Sequence, residues 1–133
     1  MPRESGIDEA ARRRQLVDVT IDVVAERGLR GTTLQLIADA ARVTKTAVLY
    51  HFGSKDVLVL EARAKVLESL VEDVGAAVEG SDAAGAPAAY VRAMVFHFHD
   101  HPRHTRMIME VMTAHGEAAE TEQRWGPVAD LLA

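Results

Sequence analysis

The chain has 133 residues and a net charge of −5, and it is 48% hydrophobic and 26% charged, enough apolar content for a core and too much for a disordered chain. It contains no cysteine, which excludes disulfides, thiolate metal sites and cysteine nucleophiles from it. No run approaches the ~20 apolar residues of a membrane span, and the opening "MPRESGIDEAARRRQL" has no apolar signal stretch; a soluble, cytoplasmic protein without membrane contact is expected.

Charge is spread unevenly. Residues 1–65 hold 11 Lys/Arg and 9 Asp/Glu, a net of +2, whereas residues 66–133 hold 4 and 11, a net of −7. A weakly basic front and an acidic back suggest a division of labour.

No segment shows sustained strand alternation and helical spacing recurs throughout, so an all-α fold is expected. The first helix is expected over Asp8 to Arg27, with Leu16, Val19, Thr20, Val23 and Val24 on one face and Val17 and Ile21 widening it. Gly28 suits the left-handed residue that ends a helix, with Leu29 against Val24 in a Schellman motif. Thr33 can cap a second helix from Leu34, whose stripe is Leu34, Ile37, Ala38 and Ala41. Thr44 offers another cap three residues after Ala41. Two short helices around so tight a turn form a helix-turn-helix. Ala38 suits their close crossing, with Val43 and Val48 filling the space between them.

Ser54 caps the next helix, with Asp56 in its first turn. Val57, Leu60, Ala64, Leu67, Val71, Val74 and Val78 follow at alternating spacings of three and four, an apolar seam along about 25 residues, or ~37 Å. Leu58, Ala62, Val66 and Leu70 broaden it into a buried connecting helix. "GSDAAGAP" reads as a loop and Pro87 as the start of a helix with Val91, Met94, Val95 and Phe98 inward. That helix should stop before Pro102. Another should turn Met107, Ile108, Val111 and Met112 inward and end near Gly116, and Pro127 opens a last one. The expected division is a helix-turn-helix domain at 1–53 and a helical regulatory domain at 54–133, with the connecting helix at 54–79.

The chemistry concentrates in "TKTAVLYHFGSK". A helix from Thr44 presents Thr44, Lys45, Thr46 and Ala47 at its exposed N-terminal end, the end from which recognition helices touch bases. Threonine and alanine methyls suit a thymine methyl, and lysine reaches guanine acceptors. Tyr50, His51 and Lys55 can donate to phosphate oxygens, while Val48, Leu49 and Phe52 anchor the helix.

The run "TTLQLIADAARVTKTAVLYHFGSKDVL" resembles the DNA-binding domain of the TetR family of transcriptional regulators. The matching marks are Thr32-Thr33, Ile37-Ala38, Ala41, Val43-Thr44-Lys45, Tyr50-His51-Phe52, Lys55 and Leu58, over about Val17 to Leu60. The resemblance implies a non-enzymatic regulator, most often a repressor, that binds double-stranded operator DNA as a homodimer and responds to a small-molecule effector. It adds Thr33 and Gln35 to the expected DNA contacts. Arg42 stands where the family usually has glycine, and Leu49 where it usually has a tyrosine phosphate donor.

Five of the six histidines lie between His97 and His115. His97 and His101 have a helical metal-ligand spacing, to which Asp100 or Glu110 would add oxygen, but Pro102 breaks the frame before His104. Histidines at a helix C-terminus also complement its dipole, and no metal or cofactor is assigned. Met94, Phe98, Met107, Met112 and Trp125 are either plain core or walls of the effector pocket the resemblance implies, with Tyr90, His97 and His115 as its polar points. Arg12 to Arg14 either touch the DNA backbone or form a solvated face. Two rival readings are a helical metal-dependent enzyme built on the His97–His115 cluster and a helical scaffold for a protein partner. Finally, "PVADLLA" is shorter than the ~12–15 residues an isolated helix needs, which points to a fragment of a longer chain with the dimer interface in the missing part.

Overall fold

Three hydroxyl side chains set the helix starts that the sequence predicts. Thr33 Oγ1 accepts from the Leu36 N–H (3.1 Å), Thr44 Oγ1 from the Ala47 N–H (3.0 Å) and Ser54 Oγ from the Val57 N–H (3.2 Å). Each satisfies one of the donors a helix leaves orphaned at its N-terminus. The computed structural model describes residues 5–115, and the side chains of residues 8–113 within them. These residues form α1 (Ser5–Arg27), α2 (Leu34–Ala41), α3 (Lys45–Phe52), α4 (Lys55–Glu79), α5 (Ala86–Asp100) and α6 (Pro102–His115), with no strand among them. The expected all-α fold is the observed one. Gly116 and the helix expected at Pro127 lie outside the described residues.

The α2–α3 turn is closed by Arg42, which holds a left-handed backbone (φ 58°, ψ 43°). Its N–H donates to the Asp39 carbonyl (3.2 Å), and the Val43 N–H reaches back to Ala38 (3.0 Å), the paired bonds of a Schellman motif. The α1–α2 turn departs from the expected form. Gly28 is left-handed (φ 75°), but the Leu29 N–H donates to Glu110 Oε2 of α6 (3.2 Å) instead of returning to its own helix.

One core joins α1 (Leu16, Val24), α2 (Ile37, Ala38), α3 (Val48, Phe52), α4 (Leu58, Ala62, Val66) and α6 (Met107, Val111). It therefore runs across the 53/54 boundary expected between domains.

Three expected inner faces hold only in part. On α4 the buried row is Leu58, Ala62, Val66 and Val74, whereas Val57, Leu60, Leu67 and Val71 of the predicted seam are exposed, Leu60 at 61% and Val71 at 68%. Leu58, Ala62 and Val66 follow the i, i+4 ridge along which helices interdigitate, and small Ala62 lets the neighbours approach. On α5, Val91 and Val95 face solvent and His97 is the buried residue. It continues a row of half-buried Ala89 and Ala93, beside which the expected Met94 and Phe98 are half-buried too. On α6, Met107 and Val111 are buried but Met112 is exposed. Leu49, expected as an anchor of α3, is also exposed.

Arg13 fixes α3 from α1. Its guanidinium donates through Nη1 to the His51 carbonyl and through Nη2 to Glu61 Oε1 (2.6 Å), and it lies 4.4 Å from the centre of the Phe52 ring. It serves a carbonyl in the last turn of α3 that the helix cannot satisfy itself. Arg12 pairs with Gln15 on the surface (2.7 Å), and Arg14 is exposed. The "RRR" run thus divides into one inward staple and two surface residues.

Thermal and urea melts should separate these roles. A non-glycine residue in the left-handed region costs roughly 1–2 kcal/mol, and glycine loses about 0.5–1 kcal/mol through unfolded-chain entropy. Arg42→Gly should therefore be neutral to slightly stabilising. Gly28→Ala should lose stability, because its Cβ would add the same strain and meet Glu110 Oε2 at 3.0 Å. Arg13→Ala should cost about 1–3 kcal/mol: roughly 0.5–1 from the half-exposed cation–π contact, and the rest from the charged bond to the His51 carbonyl, the exposed Glu61 pair adding little. Arg14→Ala should stay within about 0.5 kcal/mol of the parent. A loss in Arg14→Ala equal to that in Arg13→Ala would refute the staple.

Candidate nucleic-acid interface

The start of α3 has the features of a reading element. Val48 and Phe52 are buried and root the helix, while Thr44, Lys45 and Thr46 are exposed and Ala47 is half-buried. The Thr44 oxygen accepts from the Ala47 N–H, which leaves its hydroxyl proton to donate outward. Nothing acidic occurs in the first turn of α3, so its positive dipole end is not neutralised from within.

Thr33 and Gln35, at the start of α2, are exposed, and Gln35 Nε2 donates to Asp39 Oδ1 (2.8 Å) along the helix surface. Tyr50 is 74% exposed. Its hydroxyl donates to Glu9 (3.3 Å) and its ring stands edge-on to His51 at 5.2 Å. Both partners hold the phenol near the end of α3. Lys55 differs from the expectation of a free phosphate donor: it is half-buried and its Nζ donates to the Leu29 carbonyl (3.1 Å).

The expected effector residues are scattered in environment. Met107 is in the core and His97 is buried, Met94 and Phe98 are half-buried, and Tyr90 and Met112 are exposed. Trp125 and the side chain of His115 lie outside the described residues. A cleft of about 440 Å³ is lined by α1 and α4 residues that include Arg14, Val17, Ala64 and Lys65. Another of about 330 Å³ is lined by Leu29, Lys55, Val59, Leu60 and Val111 among others. Neither is lined by an expected effector residue.

The oxygens expected beside the histidines are engaged elsewhere, Asp100 with His99 Nδ1 (3.2 Å) and Glu110 with Leu29. Instead Asp73 of α4 faces His97. Burial above all, then the neighbouring His101 and His97, push the His104 pKa down, with Lys65 adding and Asp18 opposing. Sequence reasoning missed Asp73 and the partners of Arg13 and Glu110. Each acts across a separation of 24 residues or more, and no local pattern signals such a partner.

Residues 16–62 match the sequence model described as "Bacterial regulatory proteins, tetR family". Over 73 residues the chain is 38% identical to the HTH-type transcriptional repressor KstR2 of Rhodococcus jostii, covering 55% of this chain and 34% of that protein. It is 41% identical over 86 residues to the HTH-type transcriptional regulator BetI of Burkholderia thailandensis, covering 63% and 42%. Among solved structures, the TetR family transcriptional regulator PfmR of Thermus thermophilus superposes with a TM-score of 0.64 at 23% identity, over 88% of this chain and 62% of that one; this likeness is one of fold. The aligned parts thus span less than half of these two curated relatives. No described helix is long and apolar enough to cross a membrane. Residues 16–62 thus resemble the helix-turn-helix segment of the tetR family of bacterial regulatory proteins, and the helices around them share the fold of a solved regulator.

Proposed function

We propose that the chain is the DNA-reading part, with a portion of the regulatory part, of a transcriptional regulator acting as a repressor in the cytoplasm. The observation that carries this is the α3 N-terminus: a capped, exposed Thr44-Lys45-Thr46 end on a helix rooted by Val48, Phe52 and Arg13. Names of the relatives, an HTH-type repressor among them, support the same reading. Thr44, Lys45, Thr46 and Ala47 read base edges. Thr33, Gln35, Tyr50 and His51 position the domain on phosphates. Lys55 acts chiefly through Leu29, holding the start of α4 to the α1–α2 turn.

The division at residue 53/54 is kept as one of labour, since the core is shared. In this reading an effector binds on the α4–α6 side, near Met94, His97, Phe98 and Met107. Its effect passes to the helix-turn-helix through Glu110 and Lys55, which grip the two ends of the same residue, Leu29. Two copies place their recognition helices in successive half-sites, and effector binding changes that spacing. Exposed Leu60, Val71, Val91 and Val95 support a further apolar contact, with a second copy or with another part of the protein.

The test is fluorescence anisotropy on a duplex selected from a random library, beside a scrambled duplex, across a salt series. Lys45→Ala should change which sequences bind best, by about 1–3 kcal/mol for a base contact. Tyr50→Phe should weaken both duplexes alike. Lys55→Ala should lower thermal stability as well as DNA affinity, because it releases Leu29. Equal losses on both duplexes for Lys45→Ala would reject the assignment of reading to the start of α3. Selection of no preferred duplex would reject the proposed function for this chain.

A further inference from the structure

The end of α5 brings together groups that the DNA-binding reading does not use. His97 and His101 lie four apart, and Asp73 of α4 meets both. Asp73 Oδ2 is 2.6 Å from His97 Nδ1 and 3.7 Å from His101 Nε2. One ligand atom from each of the three residues lies within 4.8 Å of the others. Tetrahedral bonds of about 2.0–2.1 Å put neighbouring ligand atoms about 3.3 Å apart, between the two distances observed. A displacement of under ~1 Å would seat an ion of that geometry.

The surroundings fit the same chemistry. His97's side chain is fully buried, whereas those of His101 and Asp73 are 39% and 51% exposed, so one ligand is fixed and the other side is open to water. The break at Pro102 folds the chain so that the His104 ring stacks on His101 at 5.2 Å and holds its plane. Two imidazoles and one carboxylate suit a first-row ion such as Zn2+ rather than Ca2+ or Mg2+, which favour all-oxygen sites.

We infer that Asp73, His97 and His101 form a binding site for a divalent transition-metal ion of the zinc type, bridging α4 and α5. It is a binding site with no reaction attached; it shares His97 with the proposed effector region and uses none of the residues proposed to touch DNA. A metal bound here ties the middle of α4 to the end of α5 through three side chains.

Isothermal titration of the metal-free chain with ZnCl2 tests it, together with the absorption spectrum of the Co2+ form. One ion per chain should bind, raise the melting temperature by several degrees and give visible cobalt bands of a low-symmetry nitrogen and oxygen site. Asp73→Asn and His101→Ala remove half-exposed groups, and circular dichroism confirms that they stay folded. Each should weaken binding at least ~10-fold, as loss even of a supporting residue can do. His99→Ala removes a histidine that is 83% exposed and outside the cluster, and should leave affinity unchanged. Absence of one-to-one binding, or equal weakening by all three variants, overturns the inference; the latter means only diffuse chelation by surface histidines.

Discussion

The main chain of Leu29 is held at both ends by charged side chains from helices beyond the helix-turn-helix. Its N–H donates to the Glu110 carboxylate of α6, and its carbonyl accepts from the Lys55 ammonium at the start of α4. A turn between helices leaves backbone groups that neither helix satisfies, and hydrogen bonds to charged partners are the stronger kind. The left-handed Gly28 lets the chain pass under Glu110, whose oxygen lies 3.0 Å from where a Cβ would sit. The placement of α2, and through it α3, depends on this clamp. α6 therefore helps to place the helix-turn-helix from a distant part of the chain.

From α2 onward the constraints become local. Arg42 is strained into a conformation glycine adopts freely, and the turn persists because two backbone bonds and the packing of Ala38 against its neighbours over-determine it. α3 has only eight residues, too few to stand alone in water. Its burial through Val48 and Phe52 and its tie to Arg13 supply what its own length does not. The rooted end is the C-terminal one, so the N-terminal end is free to meet another molecule.

What the sequence discloses follows the range of each interaction. Thr33, Thr44 and Ser54 act on N–H groups three residues away, so caps and helix starts were legible, as was the unusual turn at Arg42. The exposed start of α3 was legible for the same reason, because it is a consequence of one cap. α4 was misread because its apolar residues cover two adjoining stripes, and helical period alone does not say which one a neighbour covers. The buried one centres on Ala62, less conspicuous than Leu60 or Val71. α5 repeats the lesson with Ala89, Ala93 and His97. Asp73 was just a surface acid in the sequence, and its meeting with His97 exists only once α5 has folded back on α4.

A net charge of −5 is compatible with an anionic partner once distance is considered. Charges separated by more than about 8–10 Å through solvent are largely screened at physiological salt. α4 alone, at 25 residues, is ~37 Å long, so acidic groups on α4 beyond its midpoint lie about two or more screening lengths from its start. A phosphate at α3 senses Lys45, the dipole of α3 and the immediate neighbours, among which the front half has a small basic excess. Glu110 is an exception, since it reaches back to Leu29 and is bonded there; the more distant acids act on a larger scale, and their influence weakens as salt rises. Uneven charge along one chain thus lets a protein that is acidic as a whole present a locally cationic end.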